Sequence, residues 1–287
     1  MDAQLQTHVD FLASEPRPAG SAWHARCRAY IREQLTRTGY VVTEDHAQVG
    51  GLPLVNVLTE PMPARPELPL VVVGAHYDSI AGSPGADDNA SAVAALLKIA
   101  ALLMPILTKE RNRLTAQIQF AAYDLEESGL LGSARHARTL RAATTALRGM
   151  IALEMLGYRD ARPGSQRLPP RLKGLYPDVG DFIGVVGNRA SQALFDAVVA
   201  GLRTSAGLHV EGLVAPGDGR ALPESRLSDH TSFWDAGYPA LMVTDTSFFR
   251  NPHYHQATDT PDTLDYAFLT QVTHGLAAGV ESLLRAP

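Results

Sequence analysis

The chain has 287 residues, an apolar fraction of 45%, a charged fraction of 19% and a formal net charge of -5, the composition of an ordinary globular protein rather than a disordered or collagen-like one. The charge is mild and the densest basic cluster, 109–113, is interrupted by Glu110 and Asn112, which argues against nucleic acid as a partner. Cys27 is the single cysteine. No intrachain disulfide or cysteine-rich zinc module can form, and any bound metal must be held by histidines and carboxylates.

Residues 1–11 lack the basic start and apolar stretch of a secretory leader, giving a cytoplasmic expectation for the chain as written. Apolar spacing predicts helix over 5–38, with Gly39 at the C-cap and Cys27 as a packed or surface thiol. Strands follow over 40–43, 55–59 and 70–74, the last with three successive valines, as in a strand buried on both faces. The longest apolar run, 90–107, is broken by Lys98 and Pro105 and reads as a buried helix over 90–104 rather than a membrane span.

Next come a strand over 115–123, a short helix over 130–140 and a strand over 150–153. The pattern resumes with strand 182–186, helix 190–205, a strand near 209–214, strand 240–243 and a closing helix over 264–284. Alternating strand and helix predicts an α/β fold with a largely parallel sheet. No composition shift marks a second domain, so 1–287 reads as one. Two irregular stretches, 159–181 and 215–227, are candidates for lining a pocket, with plain surface insertion the equal alternative.

Five short clusters stand out, most of them just after a predicted strand, where α/β sheets gather ligands. His76, in Gly74-Ala75-His76-Tyr77-Asp78, leaves the valine strand, and Asp78 is spaced to fix its tautomer. Alone, this spacing is weak, and a structural histidine is the better reading. In Gly85-Ala86-Asp87-Asp88-Asn89-Ala90-Ser91, two acids precede a helix that needs only one cap. Glu126 and Glu127 follow the strand over 115–123; buried together they would repel unless a cation intervened, and exposed they would merely open a helix. Glu154 closes another apolar strand, and His253 and His255 sit in a polar loop after 240–243.

In order, His76-x-Asp78, the 85–91 cluster, Glu126-Glu127-Ser128-Gly129-Leu130-Leu131-Gly132-Ser133, Ser228-Asp229-His230, and Tyr254-His255 followed by Asp259-Thr260 resemble the signatures of the M28 family of zinc peptidases, from about Val9 to the C-terminus. The resemblance implies a three-layer α/β/α sandwich around a mixed, largely parallel sheet, and a centre of two zinc ions sharing an aspartate. Carried over by motif, Asp88 would bridge, Glu127 and His255 would complete one site, and His76 and Glu154 the other. Family members usually have Asp where this chain has Glu154, one methylene longer. The four positive charges of two zinc ions against three ligand carboxylates leave room for one hydroxide, which metal coordination makes available near neutral pH by lowering the pKa of water from 15.7 to about 7. Glu126, beside a ligand, would serve as general base.

The implied activity is hydrolysis of peptide bonds at a chain terminus, with a peptide or small amide as substrate. An aminopeptidase is favoured over a carboxypeptidase, although Arg250, near the ligand loop, would reverse that choice if it bound a substrate carboxylate. The chain has no Gly-x-Ser-x-Gly elbow, Walker loop, Gly-x-Gly-x-x-Gly fingerprint or HExxH helix. The remaining alternatives are a single-zinc glutaminyl cyclase and a non-catalytic binding protein on the same fold.

Overall fold

Eight strands alternate with seven helices along residues 2–286, the part of the chain that the computed structural model describes. In chain order these are α1 (Ala3–Leu12), α2 (Ala22–Thr38), β1 (Val42–Val49), β2 (Leu52–Thr59), β3 (Leu70–His76), α3 (Ala92–Lys109), β4 (Gln117–Tyr123), α4 (Leu131–Ala142) and β5 (Leu147–Glu154). There follow β6 (Phe182–Asn188), α5 (Gln192–Leu202), β7 (His209–Ala215), α6 (His230–Asp235), β8 (Ala240–Thr244) and α7 (Tyr266–Arg285).

The strands form one sheet in the order β1-β2-β4-β3-β5-β8-β6-β7. The four central strands, β4, β3, β5 and β8, are parallel to one another, while β2 runs antiparallel to β4 and β6 antiparallel to β8. Successive side chains on a strand point to opposite faces, and here they divide the core in two. Val71, Val73, Ile118, Phe120, Ile151, Leu153, Leu241 and Val243 pack with α1, α2, α3, α5 and α7. Leu70, Val72, Ala121, Met150 and Ala152 pack on the other face with Ala137 of α4 and Phe233 and Trp234 of α6. Burying each large apolar side chain contributes about 1.5–3 kcal/mol, so the central strands are fixed from both sides, giving the expected three-layer sandwich with a mixed sheet.

Register carries this rigidity to the site. His76 lies level with Tyr123, and Glu154 with Thr244. The carboxyl ends of β3, β4, β5 and β8 thus finish along one edge, where the residues following each strand can converge.

Several elements differ from the sequence expectation. The helix expected over 5–38 is two helices, because Pro16 and Pro18 interrupt the turn between them; α2 ends at Gly39, left-handed at φ 109°, as expected. The strand expected over 40–43 is the longer β1, joined to β2 through Gly50 and Gly51 with positive φ. Helix α3 continues past Pro105 to Lys109, and its buried residues include Ala92–Ala95 and Leu96, so it is a core helix despite its apolar length. Helix α5 is shorter than 190–205, and α6 was not expected as a helix. Cys27 is fully buried, and burial pushes its thiol up to about 11.

Helices α5 and α7 approach through glycines: a Cβ at Gly201 would collide with the backbone N and Cα of Gly279. Gly201→Ala is therefore expected to lower stability by about 1–3 kcal/mol, the usual cost of overpacking, although helix propensity by itself would raise it by roughly 1 kcal/mol. Urea unfolding checks the sign, and a stabilised variant would contradict the close packing.

Candidate metal centre

The side chains singled out in the sequence meet at this edge. His76 closes β3, Glu154 closes β5, Glu126 and Glu127 follow β4, Asp88 sits in a kinked, non-helical turn leading into α3, and His255 comes from the loop beyond β8. Asp88 stands between the two histidines, with Oδ1 3.3 Å from His76 Nε2 and Oδ2 3.1 Å from His255 Nε2. Glu154 Oε2 lies 3.5 Å from His76 Nε2 and Glu127 Oε2 lies 3.3 Å from His255 Nε2. Glu126 is further back, its Oε2 3.9 Å from His76 Nε2. Two groups spaced to hold a cation result: His76 with Glu126 and Glu154, and Asp88 with Glu127 and His255. His253 is outside both, its Nδ1 2.9 Å from Thr258 Oγ1.

Each loop is braced by groups far away in sequence. The Asp78 carboxylate accepts the backbone N–H groups of Glu126 and Glu127, both at 3.2 Å, and its backbone carbonyl lies 3.2 Å from His76 Nδ1. Asp78 thus lies against His76, closest through its main chain, and holds the glutamate pair as well. Asp259 does the same for the aspartate pair, accepting the N–H groups of Asp87 at 2.9 Å and Asp88 at 3.1 Å. Asn89 donates to the Leu153 carbonyl and accepts the Met155 N–H, clasping the backbone on both sides of Glu154. Ser228 donates to Glu154 Oε2 at 2.7 Å, steadying the longer side chain. Asp259, Asn89 and Ser228 lie in the sequence clusters, but no local pattern gives their roles.

Backbone strain is concentrated here too. Leu125, Met155 and His255 adopt φ of 57°, 49° and 60°, a left-handed region that costs non-glycine residues of order 1–3 kcal/mol and persists where surrounding structure enforces it. Each is at, or next to, a side chain of the centre.

Electrostatics shows the crowding. Burial raises Glu126 well above the carboxylate range; Glu154 and Asp229 add to this, and His76 opposes it. Burial likewise raises Glu154 and Glu127, against the neighbouring histidines. Burial would also raise Asp88, but the imidazoles of His255 and His76 facing its two oxygens bring it below its usual range. Burial disfavours the charged form of His255, yet Asp88 and Glu127 outweigh it and lift the imidazole to about 10. Two buried atoms of the second group, Glu127 Oε1 and His255 Nε2, have no hydrogen-bond partner. Unpaired buried polar atoms call for an explanation, and this donor set of imidazoles and carboxylates fits a divalent cation such as zinc.

A cavity of about 400 Å³ opens over Asp88, Glu126, Glu127 and Glu154. Both irregular stretches line it, 159–181 through Leu168 and Leu172 and 215–227 through Leu222 and Leu227, with Phe248 and Tyr254 completing the wall. Arg250 is not part of that wall. Its Nε donates to Gln166 Oε1 at 2.9 Å, its Nη1 to the Phe182 carbonyl at 2.8 Å, and its guanidinium lies over the Phe182 ring. Of the two readings of Arg250, the structural one fits: the guanidinium is buried, with Nε and Nη1 engaged inward rather than turned to the cavity.

The sheet order and the acid-histidine centre are those of an α/β protein with side chains spaced to hold divalent cations. A profile of peptidase family M28 matches residues 56–280, and the chain belongs to that family. It is 39% identical to the uncharacterized protein YfbL of Escherichia coli (strain K12) over 95% of this chain and 85% of that protein. It is 29% identical to leucine aminopeptidase 1 of Arthroderma otae over 70% of this chain, spanning about half (51%) of that relative's length. Among solved structures, a zinc aminopeptidase from Bacillus subtilis superposes with a TM-score of 0.77 at 15% identity, covering 99% of this chain and 95% of that one. Glutaminyl cyclase of Porphyromonas gingivalis superposes with a TM-score of 0.71 at 21% identity, covering 98% and 97%. At these identities both establish the fold alone.

Asn89→Ala would leave the Met155 N–H and the Leu153 carbonyl unpaired in the core. The expected loss of stability is about 1–3 kcal/mol, the cost of a buried unsatisfied group. Unchanged urea unfolding would contradict the clasp.

Proposed function

We propose that the chain is a zinc-dependent exopeptidase of the aminopeptidase type with a two-cation centre. The observation that carries this reading is Asp88, whose two carboxylate oxygens face His76 on one side and His255 on the other. His76, Asp88 and Glu154 would hold one ion and Asp88, Glu127 and His255 the other. Bound zinc supplies Lewis acidity, polarising a carbonyl and lowering the pKa of water at the site.

The chain's own residues divide the remaining work. Glu126, further from His76 than Asp88 and Glu154 are, accepts the proton of the attacking water and delivers it to the departing amine. Burial, together with Asp88, Glu154, Glu127 and Glu126, raises the Tyr254 hydroxyl above its ordinary range and keeps it protonated. It lines the cavity, with its ring stacked 3.7 Å from that of His255, and is a donor suited to the oxygen of a scissile carbonyl. The apolar wall accepts an aliphatic or aromatic side chain, while the carboxylate-rich floor suits a free α-amine. The inward engagement of Arg250 and the aminopeptidase names of several relatives favour this over a carboxypeptidase. The complete second ligand group favours it over a single-zinc cyclase.

Glu126→Gln and Glu127→Gln separate the two roles. The first should keep its zinc while turnover on an unblocked aminoacyl peptide falls about 10²–10⁴-fold, the usual contribution of a positioned acid or base. The second should lose zinc affinity and regain part of its activity in excess zinc. Metal content and kinetics of both variants decide; loss of metal from the first, or its unchanged turnover, would reverse the assignment. An N-acetylated peptide should resist the wild-type enzyme, and hydrolysis of it at the same rate would contradict the aminopeptidase reading.

A further inference from the structure

The stretch that matches the family profile begins at residue 56, yet the loops carrying the centre are also held from before it. Arg17, in the turn between α1 and α2, is fully buried and directs its guanidinium at backbone carbonyls. Its Nε donates to Tyr77 at 2.8 Å, its Nη2 to Gly85 at 2.8 Å and its Nη1 to Pro84. Its own N–H donates to Ser79 Oγ at 3.0 Å, and its carbonyl accepts the Ser79 N–H. Tyr77 directly follows His76, and Gly85 stands just before the turn bearing Asp88. One side chain therefore grips both ends of the loop joining those two residues.

The loop is shaped to that grip. Gly85 has φ 63°, and a Cβ there would collide with the Asp88 carbonyl and lie 3.1 Å from Arg17 Nη2. The acids whose charge reaches the guanidinium include Asp88, Asp259 and Asp78, so the fork also sets a fixed cation behind the anionic centre without occupying a ligand position. Helix α2 reaches the other loop independently. His24 Nε2 lies 2.8 Å from Asp124 Oδ1, the His24 ring stacks on Tyr77 at 4.7 Å, and Asp124 Oδ2 accepts the Val55 N–H. Asp124 leads directly into the Glu126-Glu127 pair.

We propose that Arg17 is a positioning residue of the metal centre, fixing the spacing between His76 and Asp88, and that the α1–α2 segment is a working part of that centre. This rests on the two-cation reading above. A planar guanidinium can serve three carbonyls at once, whereas a lysine ammonium is a point charge on a flexible stem, so geometry and charge can be separated.

The test titrates zinc into chelator-stripped, full-length wild type, Arg17→Met, Arg17→Lys and Ser79→Ala. Wild type should bind two equivalents. Both Arg17 variants should bind the zinc between His76 and Asp88 about 10–100-fold more weakly, the usual effect of losing a group that orients ligands, with kcat falling and KM little changed. The rise in Tm on adding zinc should shrink in parallel, and lysine should not rescue it. Ser79→Ala should move the same way by less. Wild-type zinc affinity in Arg17→Lys, even with a lower apo Tm, would overturn the proposal by making Arg17 merely structural. If the Arg17 variants do not fold, Ser79→Ala decides on the same readout, and undiminished zinc affinity there overturns the proposal. A wild-type chain that takes up no zinc overturns the two-cation reading itself; two zinc ions in wild type with undiminished variants overturn only the role of Arg17.

Discussion

Four carboxylates and two imidazoles are pressed together at the carboxyl edge of β3, β4 and β5, with His76, Asp88 and Glu154 almost wholly removed from water. Like charges in a poor dielectric cannot all persist without compensation, and the opposing shifts of Glu126, Glu154, Asp88 and His255 register that conflict. The surrounding structure is organised to keep these groups in place despite their repulsion. The pair of cations proposed above would turn the same crowding from a cost into a binding site.

The support is largely backbone chemistry. Two buried acids, Asp78 and Asp259, each chelate a consecutive pair of N–H groups, so the glutamate pair and the aspartate pair are held by the same device. Asn89 ties the aspartate turn to the strand bearing Glu154, and left-handed residues at 125, 155 and 255 redirect the chain at the points of closest approach. Beneath them, the apolar alternation of β3, β4, β5 and β8 locks register on both faces of the sheet. A shift of one residue in any of these strands would exchange the two faces and disperse the centre.

The parts of this arrangement that follow from local pattern were legible in the sequence. The valine run placed His76 at the end of a buried strand, and apolar strands ending in Glu126-Glu127 and Glu154 marked one sheet edge. The motifs rather than periodicity distinguished His255 from His253. The polar, half-exposed β1 offered little strand signal beyond its first residues, because an edge strand need not alternate strictly. Apolar spacing alone runs α1 and α2 together, and Pro16 and Pro18 divide them. The bracing roles of Asp259, Asn89 and Ser228 join residues far apart in the chain, and such pairings exist only after folding. Arg250 stands near the ligand loop in sequence, but only the folded chain shows that Phe182 and Gln166 hold it inward.

The two-cation proposal stands on Asp88 as the residue shared by both sites. Anomalous diffraction at the zinc absorption edge from crystals of the zinc-loaded protein measures it directly. Two peaks are expected, roughly 3.5–4 Å apart as in other two-metal hydrolases, one beside His76 and Glu154 and the other beside Glu127 and His255, with an oxygen of Asp88 on each. A single peak at full loading, or two peaks without Asp88 between them, would contradict it.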